Sequence, residues 1–207
     1  SAASDVYKRQ VPWMLPYYEA SGIQFEIEDN RDYMDYTFTP EQFLAGMDTQ
    51  DDRYRYNYFK RRFAYETEEI TPFHREEIRE FMEREWCGEK TCEECHCGCL
   101  LRVIDNLVPV FDKIRINGIL VRVEGKMAGL CIVSCRNGLG VYQYKNAVNR
   151  IKGINEYLLR ESFERYLQSA DTINYTEDMG VENLRYYKEH MAPAHTLLSK
   201  LTLTERG

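Results

Sequence analysis

"KNAVNRIKGINEYLLRESFERYL", residues Lys145 to Leu167, decides the fold, because a strand hands over to a helix inside it. To its left, "GLGVYQYKNAV" (Gly138 to Val148) has the aromatic and β-branched content of a strand. To its right, Ile154, Tyr157, Leu158, Phe163, Tyr166 and Leu167 recur at helical spacing. Between them lies "RIKGIN", Arg150 to Asn155. A helix N-terminus presents unpaired N–H groups and a partial positive charge. Gly153 lets the backbone turn and approach a ligand closely, and Arg150 and Lys152 add cations. Such a loop suits a phosphate or pyrophosphate. It equally describes a solvated turn, and the spacing alone leaves both readings open.

Upstream, "NGILVRVEGKMAGLCIVSC" reads as two strands joined by a tight hairpin at Glu124-Gly125. Downstream, "DTINYTED" reads as a strand. "GVENLRYYKEHM" reads as a helix with Val181, Leu184, Tyr187 and Met191 inward, and "AHTLLSKLTLTER" as a closing strand. Nearer the start, "GIQFEIEDN" alternates Ile23, Phe25 and Ile27 as a half-buried strand does. "TPEQFLAGM" opens a short helix with Thr39 as N-cap and Pro40 in the first turn. A basic, aromatic helix is expected from Asp51 to Phe63, then a strand at "YETEEI". A helix carrying Ile78, Phe81, Met82 and Trp86 on one stripe follows, then one from Leu100 to Ile114 kinked at Pro109. The order is helices first, then β-β-β-α-β-α-β, an α+β fold with a central mixed sheet flanked by helices.

The chain has 207 residues, 43% of them apolar, enough to bury a core without disulfides. Its net charge of −7 opposes a generic nucleic-acid coat, and no DNA partner is expected. The longest apolar run, Met127 to Val133, is far short of the roughly 20 residues that cross a bilayer. Seven cysteines, five of them within Cys87 to Cys99, do not spread as a secreted disulfide framework does. A cytoplasmic protein with reduced thiols is the expectation.

"WCGEKTCEECHCGCL" (Trp86 to Leu100) invites a zinc site, which wants four thiolate or imidazole ligands in short-spaced pairs. Cys92 and Cys95 make one pair; Cys97 and Cys99, with Cys87 or His96, make a crowded second. Zinc on Cys87, Cys92, Cys95, Cys97 and Cys99 is weighed against plain packing of Cys92, Cys95 and Cys99 on one helical face, and packing is favoured. His74, His190 and His195 stand isolated and are not assigned as ligands.

"NYTEDMGVENLRYYKEHMAP" (Asn174 to Pro193) meets no generic secondary-structure need throughout. It resembles the signature of the phosphatidylglycerol lysyltransferase C-terminal domain family in Asn174, Asp178, Gly180, Glu182, Leu184, Arg185, Lys188 and Pro193, all in register. "VEGKMAG" (Val123 to Gly129) and Lys145 also match. Thr176-Glu177 and His190-Met191 depart from the commoner residues. The element order likewise resembles the GNAT acyltransferase fold, whose R/Q-x-x-G-x-G/A loop matches at Arg150 and Gly153 and departs at Asn155.

The resemblance implies transfer of an acyl or aminoacyl group from an activated carrier to an amine or hydroxyl. The carrier would be acyl-CoA or an aminoacyl-tRNA, the latter favoured. Arg150, Lys152, Gly153, Asn155, Asn174, Asp178, Arg185 and Lys188 would contact carrier or substrate. Glu177 would act as general base and Tyr186 as the acid for the leaving group. Physically, Asp178 also suits a helix cap. Arg185 and Lys188 share a helix face, where Glu182 and Glu189 offer ordinary surface pairing. A non-catalytic GNAT-like binding module and a zinc-stabilised interaction domain are the alternatives. Ser1 to Gln10, "SAASDVYKRQ", looks like translated adapter sequence or a loose tail. The GNAT-like domain is expected over 11–207, with an upstream GNAT-like domain missing.

Overall fold

The computed structural model describes residues 14–22, 25–87, 100–191, 195–199 and 201–205. Along the chain, α1 (Leu15–Ala20) precedes β1 (Phe25–Asp29), β2 (Asp35–Phe38) and α2 (Pro40–Gly46). Then come α3 (Gln50–Arg62), β3 (Tyr65–Glu69), α4 (Arg75–Met82) and α5 (Leu100–Leu107). The hairpin strands β4 (Asn117–Val123) and β5 (Lys126–Arg136) lead to β6 (Leu139–Ala147), α6 (Ile154–Ser162) and β7 (Thr172–Asn174). Helix α7 (Glu182–Met191) and strands β8 (Thr196–Leu198) and β9 (Leu201–Glu205) follow. The chain divides into two compact units, Met47–Ile173 and Ser1–Gly46 with Asn174–Gly207.

In the larger unit the sheet order is β3-β4-β5-β6-β7. β3 to β6 are antiparallel neighbours, whereas β7 reaches its place beside β6 through α6, so the sheet is mixed. The β4–β5 turn holds Glu124 at φ 52° and Gly125 at φ 74°, the pair of left-handed residues that matches strand twist. Ile119, Leu120, Val121, Leu130 and Ile132 are wholly buried, and so are Ile78, Phe81 and Met82 of α4 and Ile154 and Leu158 of α6. Each such side chain contributes on the order of 1.5–3 kcal/mol. Gly129 lets α6 lie close, since a Cβ there would stand 2.8 Å from Leu158 Cδ1.

In the smaller unit β1 pairs with β9 and β2 with β8, both antiparallel. Thr39 and Gln42 cap α2 reciprocally: Gln42 N–H donates to Thr39 Oγ1 at 3.2 Å and Thr39 N–H to Gln42 Oε1 at 2.8 Å.

Five expectations need correction. Pro109 does not kink a continuing helix; α5 stops at Leu107 and a 3₁₀ turn, Val108–Val110, takes over, because proline cannot supply the next N–H. The closing strand is two short strands, and β7 is only three residues long. Ile27 is exposed, not half-buried. On α7 it is Lys188, not Tyr187 or Val181, that turns inward with Met191.

Candidate functional site

The loop between β6 and α6 lies in the larger unit. Gly153 is the N-cap of α6 at φ 89°, a conformation side chains resist. A Cβ there would sit 2.1 Å from the Arg55 carbonyl oxygen and 2.9 Å from Phe59 Cβ, so the glycine is needed for α6 to seat on α3. The helix start is thereby buried against protein at this point. Beside the loop lies a cavity of about 610 Å³, lined by Phe63, Arg84, Val123, Glu124, Lys126, Met127, Ala128, Val148, Arg150 and Ile151. Neither Gly153 nor α6 is in that lining, so side chains rather than helix N–H groups face the space. Arg150 is 78% exposed, with a loose 3.9 Å approach to Glu85. Lys152 is turned elsewhere, its ammonium 4.6 Å from the Tyr54 ring centre and 5.3 Å from that of Tyr58.

Asn155 is engaged from within: Lys145 Nζ donates to its Oδ1 at 2.7 Å. Lys145 is half-buried, and desolvation holds its pKa below the ordinary lysine value. Across the ladder stands Cys131, whose thiol burial pushes up to about 11, so it is no ready nucleophile.

Asn174, Asp178, Arg185 and Lys188 come together in the smaller unit. Asp178 has no accessible surface and accepts five hydrogen bonds. Arg185 forks onto it with Nε at 3.0 Å and Nη2 at 2.9 Å; Tyr36 OH donates at 2.7 Å, Arg31 Nη1 at 3.1 Å and Gly180 N–H at 2.9 Å. Burial works against the charged form. The donors from Arg185, Tyr36 and Gly180 outweigh it and hold the carboxyl well below the usual carboxylate range. Arg185 also donates to Asp32, and its pKa rises through both carboxylates. Burial likewise raises the Tyr36 hydroxyl.

Lys188, 4% exposed, donates to three carbonyl oxygens: Tyr175 at 2.6 Å, Glu177 at 2.8 Å and Thr176 at 3.2 Å. Asn174 donates to Asp35 at 2.8 Å and accepts from Thr176 N–H at 2.7 Å. Together they stitch a loop with left-handed backbone at Thr176, Met179 and Gly180. Arg185 is thus neutralised by Asp178 and Asp32, and Lys188 is met by three carbonyl oxygens, in place of the surface pairing that Glu182 and Glu189 offer on this helix face. Glu189 pairs with Arg31 at 2.9 Å. Glu177 is half-buried on this loop. Tyr186 is 65% exposed and stacks on His190, ring centres 3.8 Å apart.

Arg31, Asp32 and Tyr36 were not singled out in the sequence. They sit 147, 153 and 142 residues from their partners in α7 and its loop, and no local periodicity announces such contacts. Of the cysteine cluster, Cys87 ends the π-turn Glu83–Cys87 after α4, while Cys92, Cys95, Cys97 and Cys99 lie outside the described residues, as do His96 and Ser1 to Gln10. Among the described residues no group of three or more His, Cys, Asp or Glu is arranged to hold a metal ion. Among them also, no helix is long and apolar enough to cross a membrane.

The family described as "Phosphatidylglycerol lysyltransferase, C-terminal" matches residues 6–199. The chain belongs to that family. No curated protein matches it. Among solved structures, a conserved protein of unknown function from Bacteroides thetaiotaomicron is 24% identical, with TM-score 0.74 over 95% of this chain and 68% of that one. L-PGS from Bacillus licheniformis is 14% identical, with TM-score 0.65 over 97% and 67%. A tandem GNAT protein from the clavulanic acid biosynthesis pathway is 10% identical, with TM-score 0.54 over 97% and 62%. These likenesses carry the fold: a GNAT-like acyltransferase fold in the phosphatidylglycerol lysyltransferase C-terminal family.

Proposed function

We propose that the protein transfers an acyl or aminoacyl group from an activated carrier, aminoacyl-tRNA before acyl-CoA, to an amine or hydroxyl acceptor. The observation that carries this is the family match over residues 6–199, which spans both the carrier loop and the Asn174 to Lys188 segment. In this proposal Arg150, exposed at the cavity, meets phosphate oxygens of the carrier, and Lys152, which lies over the Tyr54 and Tyr58 rings, would have to swing from them to add its charge. Gly153 and Asn155 shape the loop from behind, through the seat on α3 and the bond to Lys145. Asn174, Asp178, Arg185 and Lys188 are positioning residues: they fix the loop that carries Glu177. Glu177 removes a proton from the acceptor as it attacks the carbonyl carbon, and Tyr186 returns one to the departing carrier oxygen or sulfur.

The test is single-turnover transfer from lysyl-tRNA and, separately, from acetyl-CoA, with wild type, Glu177→Gln and Tyr186→Phe. Transfer lost in both variants at unchanged carrier affinity supports the assignment; undiminished transfer in either removes that residue's role. A second reading is favoured by one observation: Arg185, Lys188 and Asp178 all spend hydrogen bonds on the protein itself. On that reading the chain is a ligand-binding GNAT-like module without chemistry, and carrier binding without any turnover would establish it.

A further inference from the structure

The least expected surface feature of the larger unit is Phe73, 97% exposed on the 3₁₀ turn Pro72–His74 between β3 and α4. The turn beneath it is fixed. Thr71 N–H donates to His74 Nδ1 at 3.0 Å, His74 N–H donates to the Thr71 carbonyl at 3.0 Å, and His74 Nε2 lies 3.2 Å from a Glu68 carboxylate oxygen. A lone exposed apolar side chain means little. Here it has company: the turn packs against the second 3₁₀ turn, Val108–Val110, where Val110 and, just beyond it, Ile114 are exposed as well. Next to Phe73, with Pro72 in its wall, opens a hollow of about 160 Å³ whose other apolar walls are Ile70, Phe111 and Ile116. Ile70 and Phe111 are buried at its base. A cavity of about 150 Å³ is enough to take a benzene ring. The rim carries both signs of charge: Glu69 and Asp112 line the hollow, and Lys113 and Arg115 are exposed on the same stretch of chain.

We infer that this face is an interface between two copies of the chain, in which the Phe73 ring of each protomer enters its partner's hollow. A two-fold contact sets one patch against itself, so each group on it must find its complement on that same patch. This patch holds both members of each pair: an aromatic knob beside a hollow of ring size, and Glu69 and Asp112 beside Lys113 and Arg115. A partner of other composition would need only one member of each. The self-complementarity therefore selects a second copy. β3 stands at the end of the sheet order, yet its exposed Glu66 and Glu68 would be set against their own kind if two such edges joined. The contact runs through the turns, not the strand. A knob on a turn already held adds little ordering cost when it docks. A contact centred on one ring and its rim falls at the small, transient end of protein interfaces, so the pair separates on dilution. No residue assigned to the transfer reaction takes part, and the interface stands or falls apart from the proposed activity.

Sedimentation equilibrium of the full chain, from about 5 to about 500 μM, tests it. The mass should climb from 24.6 kDa toward twice that value as concentration rises. Phe73→Ser removes a side chain left bare in the monomer, and should raise the dissociation constant by at least about tenfold at an unchanged melting temperature. Asp112→Lys should also raise it by about tenfold or more, because it sets a cation against the partner's Lys113 and Arg115. Adding Lys113→Glu and Arg115→Glu to that variant should restore association. Tyr17→Ser, which removes another exposed ring, from the smaller unit, should change nothing. A chain that stays monomeric throughout, or a dimer indifferent to Phe73→Ser or to Asp112→Lys, overturns the inference. So does equal weakening by Tyr17→Ser, which would mark nonspecific association of apolar surface.

Discussion

Two regions of this chain carry clustered cations beside acidic residues, and the structure treats them in opposite ways. Around Asp178 in the smaller unit, Arg185 and Lys188 are bonded to carboxylates and carbonyls of the protein. Around the cavity of the larger unit, Arg150 and Lys126 stay exposed, and only Arg84 is tied down. A cation whose donors are filled by the protein builds shape; one left at the mouth of a cavity is free to meet a ligand. The contrast turns on hydrogen-bond partners, which residue type alone does not reveal.

The contrast is broken most severely at Asp178. Asp178→Asn removes the negative charge from beneath Arg31 and Arg185, and should cost roughly 3 kcal/mol, read from urea unfolding. A loss under 1 kcal/mol would show that the network is ornamental. The pH dependence follows the same group. Its folded pKa lies below the unfolded value of about 3.9, so its contribution is complete above about pH 4 and is lost as pH falls through the folded value. Stability that falls below pH 4 in wild type should fall less steeply in Asp178→Asn.

Next in size is Lys188→Met, which keeps the length of the side chain and strands three carbonyl oxygens; a loss of about 2 kcal/mol is expected. Gly153→Ala should be similar, about 2 kcal/mol, because both φ 89° and the Arg55 carbonyl oppose a Cβ. Arg185→Gln should lower the melting temperature by less than Asp178→Asn, since its guanidinium is partly solvated. The smallest stability effect belongs to the other region: Arg150→Ala should fall within about 0.5 kcal/mol of wild type. A marked loss there would erase the distinction between the two clusters.

Much of the fold was legible. Periodicity placed α4 and α6, the Glu124-Gly125 turn fixed the hairpin, and Thr39 with Pro40 marked the start of α2. The loop glycine was legible too, but not the group it accommodates. Sequence shows that Gly153 permits close approach and cannot show that the approaching group is the Arg55 backbone. The same limit hid the partners of Asp178: Arg31 and Tyr36 are distant in sequence, and nothing local marks them. The burial of Lys188 was not legible either, because a lysine is almost never fully buried unless paired, and only tertiary carbonyls make its burial tolerable.

The most direct test is native mass spectrometry of wild type and Arg150→Ala, each mixed with lysyl-tRNA and with coenzyme A. Wild type should retain one of these carriers, and Arg150→Ala should retain roughly tenfold less at an unchanged melting temperature, the loss expected for a charged phosphate contact. Equal retention by the two proteins, or none by wild type, would contradict a carrier site at this loop.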